Sequence, residues 1–516
     1  MAIALPPPIT PQPEPLEEIR AYSPYEVLLD FRGVRVHLSG PLIQAGVVSR
    51  ERLQKQISLA ETPSEAVRDI GYLHYMAGYP ATLVSYAVSG DKDLYVRVTS
   101  GHVRSVQGPP AIAGYFENLV NTSWLTASDL EHDRTLADAL SERGGQSFKP
   151  ELRPIGGEAV VLDLGEPADT GHQTVAVGEF SNYGNRYAGP YLADAGLRHS
   201  FSSGDELSVA GAVSTRFLGL GGSHSEPYHE GDLGWSRVTP FGVFGLQGRY
   251  ADFQQHVEGG VLDGKLDSAA LSWLVPLYAD FQHRLNFTGT LDHSDQTIKV
   301  QADDTRLLSE RYFSVGADLS YLHRIEHDQQ RTEIRFELGM RHGLGQASST
   351  ETAASQDYVL VRPSFSVRYS TNPHWTFAGE GNFQLSGSTL PQQEQFVIGG
   401  PSTLHAYETG VGVGDRGGNL RLSTEWEDTG DSWIARHQLK PRLFAEYGTA
   451  ISSHGAPDGS TARVALADVG ADVEMHLTQW LAGTLSVAQS VYDHGGENSP
   501  DGLAKRYVFF QLAAKY

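Results

Sequence analysis

The feature that most constrains this chain is the alternation of apolar and polar residues over almost everything beyond Thr170. Segments of roughly ten residues alternate in this way, with clusters of Gly, Asp, Asn, Ser and Pro between them. Residues 332–340 show the pattern, since their apolar side chains share one face: Ile334, Phe336, Leu338 and Met340. Successive side chains of a strand point to opposite faces, so this period predicts β-strands over about 350 residues.

Three all-β architectures can hold that many strands: a sandwich array, a propeller or a barrel. A propeller repeats a motif every ~40–50 residues, and the sequence has no such repeat. In a soluble sandwich the polar face lies outside, whereas a membrane barrel is apolar outside. The last segment, residues 507–516, ends on the aromatic Tyr516, which favours an outer-membrane barrel. No run of ~20 apolar residues suggests a membrane helix, but barrel strands are only half apolar and need none.

Composition excludes several kinds of chemistry. The 516-residue chain has no cysteine, which rules out thiol catalysis and Cys-ligated zinc. Its formal charge of -23 argues against a nucleic-acid partner, which calls for a basic face. Neither a Gly-x-Ser-x-Gly elbow nor a His-Glu-x-x-His helix is present. We therefore expect no enzyme activity, no cofactor and no metal.

The part before the alternating region has helical as well as strand periods. Residues 1–30 are predicted to be a Pro-rich N-terminal linker, and no signal peptide precedes them in this chain, because the first residues lack a basic and an apolar region. Residues 31–106 suggest an α/β unit with the order strand, helix, helix, strand, strand, in which Ser49 is a helix N-cap. Residues 107–168 suggest a second unit, with a helix over 127–143 and a closing strand over 159–164.

A Gly-rich stretch over residues 396–418 interrupts the β region. Such a loop can bind phosphate, cap a hairpin or pack inside a barrel. A dinucleotide-binding loop needs a strand before it and a helix after it. Residues 419–426 have the period of a strand instead, so phosphate binding is not expected.

Four stretches, in order, resemble the outer-membrane transporters of two-partner secretion, the haemolysin and filamentous-haemagglutinin secretion/activation family. Residues 71–80 are similar to the end of the second helix of that family's POTRA domain, and residues 94–103 to the strands that follow it. Residues 181–189 resemble the entry into the first barrel strands. Residues 399–418 resemble the long sixth loop, which in this family folds back into the barrel lumen.

The resemblance implies α+β POTRA domains, at 31–106 and 107–168, followed by an all-β transmembrane barrel of about 16 antiparallel strands over residues 169–516. It also implies a non-enzymatic translocator that exports a large partner exoprotein, which docks on the POTRA domains in the periplasm and passes through the barrel. Expected partners are this exoprotein and the lipid and lipopolysaccharide of the outer membrane, and a monomer is expected. Alternative functions are an outer-membrane insertase of the same superfamily and a substrate-specific porin.

The loop tip and its expected partner on the barrel wall both depart from the family pattern. The tip normally reads Val-Arg-Gly-Tyr, and here it comprises Leu404, His405, Ala406 and Tyr407. The family arginine pairs with the Asp of a Phe-x-Asp-x-Gly strand, and the matching residues here are Phe444, Glu446 and Gly448. Histidine lacks the permanently charged fork of arginine. Our hypothesis is that His405 and Glu446 still meet; the alternative is that the pair is lost.

Two further expectations concern the N-terminal part and the lumen. Many family members begin with a plug helix, and the first 20 residues are too Pro-rich to form one. Tyr72, Tyr75 and Tyr79 are candidate substrate-docking residues, with core packing as the competing use. Several charged residues are expected to keep the lumen hydrophilic: Glu333, Arg335, Glu337, Arg421 and Glu425.

Overall fold

The structure is a computed structural model. It describes residues 6–21, 27–90, 92–171, 173–184, 189–216, 227–257, 260–327, 330–345, 354–371, 374–428, 430, 432–436, 438–453, 462–495, 505 and 507–516. No helix among these residues is long and apolar enough to cross a membrane.

The first α/β unit consists of a five-stranded sheet covered by helices. Its elements are β1 (Gln12–Pro13), α1 (Leu16–Ala21), β2 (Val27–Phe31), β3 (Val34–Ser39), α2 (Pro41–Gln44), α3 (Arg50–Leu59), α4 (Pro63–Met76), β4 (Thr82–Ser89) and β5 (Asp93–Ser100). The strand order is β1-β4-β5-β3-β2. As predicted, Ser49 caps α3 by accepting a hydrogen bond from the amide of Arg52. The apolar faces of α3 and α4 pack on the sheet through Ile57 and Ile70, both fully buried.

The second unit is smaller. Its elements are β6 (His102–Gln107), α5 (Pro110–Ala113), a 3₁₀ helix (Gly114–Leu119), α6 (Ala127–Arg143), β7 (Gln146–Ser147), β8 (Glu151–Gly156), β9 (Ala159–Asp163) and β10 (Ala168–Asp169). Its sheet has the order β6-β9-β8. A capping box between Thr126 and Asp129 starts α6.

Two sequence expectations need correction here. The linker expected over residues 1–30 is wrong for its described part, because Gln12–Pro13 pairs with β4 and Leu16–Ala21 is a helix. Leu16 and Ile19 lie one turn apart on that helix, and Ile19 is fully buried. The unit boundary at residue 106 falls one strand too late, because β6 pairs with β9 in the second sheet. The chain crosses between the sheets at Gly101, where a Cβ would lie 2.7 Å from Val160 Cγ1.

The rest of the chain closes into a barrel of 16 antiparallel strands. The strands before the lumen loop are β11 (Thr174–Ser181), β12 (Leu192–Ser200), β13 (Asp205–Ser214), β14 (Tyr228–Thr239), β15 (Gly242–Val257), β16 (Gly260–Ala279), β17 (His283–Val300), β18 (Arg306–His327), β19 (Gln330–Gly343), β20 (Val359–Ser370) and β21 (Trp375–Ser386). A separate hairpin follows, formed by β22 (Phe396–Ile398) and β23 (Gly412–Gly414). The remaining elements are β24 (Arg416–Trp426), helix α7 (Trp433–Arg436), β25 (Lys440–Ser452), β26 (Ala462–Thr478), β27 (Leu481–His494) and β28 (Val508–Lys515).

The barrel wall has an apolar outside and a charged inside, and β11 pairs with β28 to close it. On β24, Leu420 and Leu422 are exposed on the outside, and Arg421 between them faces the lumen. Because strand side chains alternate, the same pattern surrounds the barrel with exposed apolar side chains, among them Trp235, Phe244, Leu271, Trp273, Phe336 and Met340. A wide apolar belt around a wet interior is the arrangement of an outer-membrane barrel.

The α/β units contact one end of the barrel, which we call the proximal end. Helix α6 packs against β14 and β16. Arg143, in its last turn, donates to the carbonyl oxygens of Gly204 at 2.6 Å and Ser236 at 3.0 Å. In the first unit, the ring of Tyr75 lies 5.2 Å from that of Phe281, on the turn between β16 and β17. Both units therefore contact the proximal end.

Candidate functional site: the loop inside the barrel lumen

Residues 387–415 join β21 to β24 and fold into the lumen. We call this segment the lumen loop. Its contacts with the wall include two regions, the root around Glu394 and the tip at residues 404–407. Between them, β22 and β23 pair as a short antiparallel hairpin that lies against β25.

Glycine is required where the loop turns. Gly399 and Gly400 have φ of 100° and 82°, a region that residues with a Cβ rarely adopt. A Cβ would lie 2.1 Å from Glu408 O at Gly399, and 2.2 Å from Thr409 Oγ1 at Gly400. Thr403 closes the turn, because its hydroxyl oxygen accepts from the amide of Gly399 at 2.8 Å. The glycines therefore allow the loop to turn tightly.

Three of the four tip residues fit sites on the wall. Leu404 is fully buried, and a Cβ on Gly448 of β25 would lie 2.7 Å from its Cδ1. The amide of Ala406 donates to Asp468 Oδ2 on β26 at 2.8 Å. The Tyr407 hydroxyl donates to the carbonyl oxygen of Tyr492 at 2.9 Å and lies 2.6 Å from the Ser490 hydroxyl. The Gly of the wall motif thus leaves room for a loop side chain.

The fourth tip residue, His405, lies directly against Glu446 of β25. Its amide donates to Glu446 Oε2 at 2.8 Å, and its ring Nδ1 lies 3.0 Å from Oε1. The imidazole also packs on Phe444, with ring centroids 4.6 Å apart. Burial, together with the nearby Arg421 guanidinium, lowers the pKa of His405 to about 4. His405 lies on the loop rather than on a membrane-spanning strand, and it is neutral at pH 7.

A wall arginine, Arg421, lies beside the same carboxylate. Its Nε is 3.3 Å from Glu446 Oε1, and Arg421 and Glu446 are directly paired across β24 and β25. Its Nη2 is 3.4 Å from Asp472 Oδ2, and its guanidinium lies 4.9 Å from the ring centre of Phe444. The sequence identified Arg421 only as a lumen charge. The only available signal was its strand position, which shows its face but not its cross-strand partner.

At the root, the loop carries the acid and the wall carries the bases. Glu394 is 3% exposed, and its carboxylate oxygens lie 3.0 Å from Arg341 Nη1 on β19 and 3.0 Å from Arg362 Nη2 on β20. Its carbonyl oxygen accepts from Gln384 Nε2 at 2.8 Å and from Arg362 Nη2 at 3.0 Å. The sequence did not single out Glu394, because residues 391–395 have no strand or helix period.

A second buried carboxylate fixes the loop's last residues. Asp415 is fully buried. Its Oδ1 accepts from the amide of Leu390 at 2.7 Å, and its Oδ2 accepts from the amide of Ser453 at 2.7 Å. Asp415 therefore joins the two ends of the loop to each other and to the end of β25.

The three candidate docking tyrosines of the first unit have different surroundings. Tyr75 is buried, and its hydroxyl donates to the carbonyl oxygen of Pro6 at 3.0 Å. Tyr79 is half-buried and lies edge-on to Trp124, at 6.1 Å between ring centroids. Tyr72 is 48% exposed. Tyr72 is therefore the most exposed of the three.

A closed 16-strand barrel with an inward loop and an N-terminal α/β region defines a class, the outer-membrane protein transporters. The model of the family "Haemolysin secretion/activation protein ShlB/FhaC/HecB" matches residues 177–473, more than half of the chain. The chain belongs to this two-partner secretion family. It is a transporter, not an enzyme. A comparison with curated proteins finds no match.

Solved structures support the same fold. The chain is similar to CdiB from Escherichia coli, with a TM-score of 0.66 and 15% identity over 96% of this chain and 92% of that one. It is also similar to CdiB from Acinetobacter baumannii, with a TM-score of 0.61 and 13% identity over 93% and 89%. BamA from Haemophilus ducreyi, in a structure lacking POTRA domains 1–3, gives a TM-score of 0.54 at 12% identity over 94% and 99%. At these identities the likeness is one of fold, and it supports POTRA-like α/β units before the barrel.

Proposed function

We propose that this chain exports one large exoprotein from the periplasm to the cell surface, with its α/β units in the periplasm and the lumen loop as a movable obstruction. The observation that carries this proposal is the loop itself, which is anchored by buried polar contacts at both root and tip. The polar contacts of the tip are hydrogen bonds to the wall, which can break and re-form. A monomer in contact with outer-membrane lipid and lipopolysaccharide is part of the proposal.

We further propose that substrate docks on the first α/β unit. Its sheet has two edges, and both are covered. On the β4 edge, Gln12–Pro13 adds a short parallel strand. On the β2 edge, Gln54 Nε2 donates to Asp30 O at 2.8 Å, and Arg50 donates to Leu28 O at 2.9 Å. Extended peptides commonly dock by adding a strand to a sheet edge. Here that mode requires either Gln12–Pro13 to leave the β4 edge or the Gln54 and Arg50 side chains to leave the β2 edge.

Deletion of residues 32–168 tests the function. The exoprotein encoded beside the transporter's gene is co-expressed, and its amount in the medium is measured by immunoblot. We expect the deletion to abolish secretion while the barrel still assembles, which heat-modifiable migration on a gel checks. Secretion retained at the full-length level would contradict a role of the α/β units in export, and absence of the exoprotein from the medium with the full-length chain would favour a porin.

A point variant tests docking. Tyr72→Ala removes the exposed aromatic ring, and Leu59→Ala, which removes another exposed apolar side chain from the same unit, is its matched control. We expect Tyr72→Ala to weaken binding of the exoprotein's N-terminal domain to the purified transporter by about tenfold, the range of one interface aromatic. Equal binding by both variants would remove Tyr72 from the docking surface.

A further inference from the structure

The charges around the loop tip are arranged in an unusual way. The hydrogen-bond donors of the tip are uncharged. Glu446 receives the amide and the neutral imidazole of His405, and Asp468 receives the amide of Ala406. Glu446 is 4% exposed, so it needs a counter-ion. The nearest cation is Arg421, which belongs to the wall.

We infer that Arg421 allows the loop tip to leave the wall. Because Arg421 is a wall residue and pairs with Glu446, the loop does not have to provide the positive charge that Glu446 requires. Arg421 is a positioning residue, and this inference concerns the gating step of the proposed function. When the tip leaves, Glu446 keeps its guanidinium partner and loses only hydrogen bonds from neutral groups. Removing the sole cation from a buried carboxylate is far more costly than breaking such bonds.

The surrounding contacts hold Arg421 in place without the loop. Its Nη2 lies 3.4 Å from Asp472 Oδ2, and the Phe444 ring lies under the guanidinium at 4.9 Å. Arg442 Nε lies 3.0 Å from the same Asp472 oxygen. All of these residues are on β24, β25 and β26, so the group can persist when the tip moves away.

Single-channel recording from the purified transporter in planar bilayers tests the inference. No exoprotein is present, so the result does not depend on the secretion assay. Arg421→Met removes the cation beside Glu446, which then has the loop tip and the cross-strand Asp468 side chain as its hydrogen-bond partners. We expect the frequency of channel opening to fall about tenfold, the size of one hydrogen bond to a charged group. Arg421→Lys keeps the charge, and we expect it to open as often as the parent chain.

Arg368→Met is the matched control, because Arg368 is a lumen arginine that pairs with Glu425 away from the tip. It corrects for the effect of one lost lumen charge on the current. A second arm, His405→Arg, places a cation on the loop, and we expect fewer openings, with a larger decrease in the Arg421→Met background. This coupling is one that a merely structural role for Arg421 would not produce.

Each outcome of the recordings either supports or overturns the inference. Fewer openings in Arg421→Met than in Arg368→Met, with recovery in Arg421→Lys, support the inference. More openings, or the same number as in the control, overturn it. If Arg421→Met does not assemble, the other two variants decide: parent-like opening in Arg421→Lys with fewer openings in His405→Arg supports it. More openings in His405→Arg overturn it.

Discussion

The root and the tip of the lumen loop are both anchored to the barrel wall, but their charges are distributed differently. At the root, the loop carries the acid, Glu394, and the wall carries the bases, Arg341 and Arg362. At the tip, acid and base both belong to the wall, as Glu446 and Arg421. Moving the root separates charges, whereas moving the tip separates neutral donors from a carboxylate that remains paired. The comparison indicates a fixed root and a mobile tip.

The largest effect is expected from Glu394→Gln. It removes the carboxylate that Arg341 and Arg362 share, which leaves Arg341 with Asp292 alone, and hydrogen bonds to charged groups contribute about 1.5–3 kcal/mol each. We expect the loop to leave the lumen, which bilayer conductance shows as a channel that stays open. Glu427→Gln, at an exposed pair with Lys440 outside the loop, is the control. Closed channels in both variants would contradict the fixed root.

A smaller effect on channel opening is expected from filling the space on the wall into which Leu404 packs. Gly448→Val places branched atoms where Leu404 packs, at a cost of about 1–3 kcal/mol. Frequent but brief openings should follow, since the root still holds the loop. Gly231→Val is its counterpart, at a barrel glycine with nothing within 4 Å of a Cβ. Permanently open channels in Gly448→Val would show that the root depends on the tip.

Removing the imidazole should change the tip only slightly. His405→Ala loses one side-chain hydrogen bond, about 1 kcal/mol, and keeps the amide bond to Glu446. We expect opening to rise a few-fold in the same recordings. An effect as large as that of Glu394→Gln would contradict the view that the tip is held by several weak contacts.

Acid should loosen the tip through the same residue. The pKa of His405 is about 4 when the tip is closed and about 6.5 for a free imidazole, so the open state takes up the proton more readily. The contribution of His405 to closure is therefore complete above pH 6.5 and is lost as the pH falls towards 4. The other charged groups facing it are Arg421, Arg442, Glu446, Asp468 and Asp472. Opening should rise less on acidification in His405→Gln, and identical pH curves would assign the effect to the carboxylates.

The sequence predicted the barrel because a period of two, held over many segments, reports which face each side chain occupies. It also indicated which residues form the tip and its wall motif. It could not show that Arg421 lies beside Glu446, because cross-strand register depends on turn lengths and on the closure of the whole barrel. Glu394 was missed because a single acid among glutamines, after one proline, belongs to no strand or helix period.

The errors in the N-terminal part have a similar cause. Six prolines in the first 20 residues suggested a linker, yet the short stretch after Pro15 forms a helix whose Ile19 is buried on β4 and β5. Proline is tolerated before a helix, so its density did not exclude one. The strand after Gly101 was assigned to the wrong unit because chain order alone does not show which sheet a strand joins.

A selective cross-link shows whether the tip must leave the wall while the root stays in place. The chain has no cysteine, so one pair can be introduced at the tip, Tyr407→Cys with Ser490→Cys, and another at the root, Gln393→Cys with Gln296→Cys. Each pair is joined by a reducible bifunctional thiol reagent while exoprotein secretion is measured. We expect the tip cross-link to stop secretion until reductant is added, and the root cross-link to leave it unchanged. Continued secretion with the tip cross-linked would contradict a mobile tip.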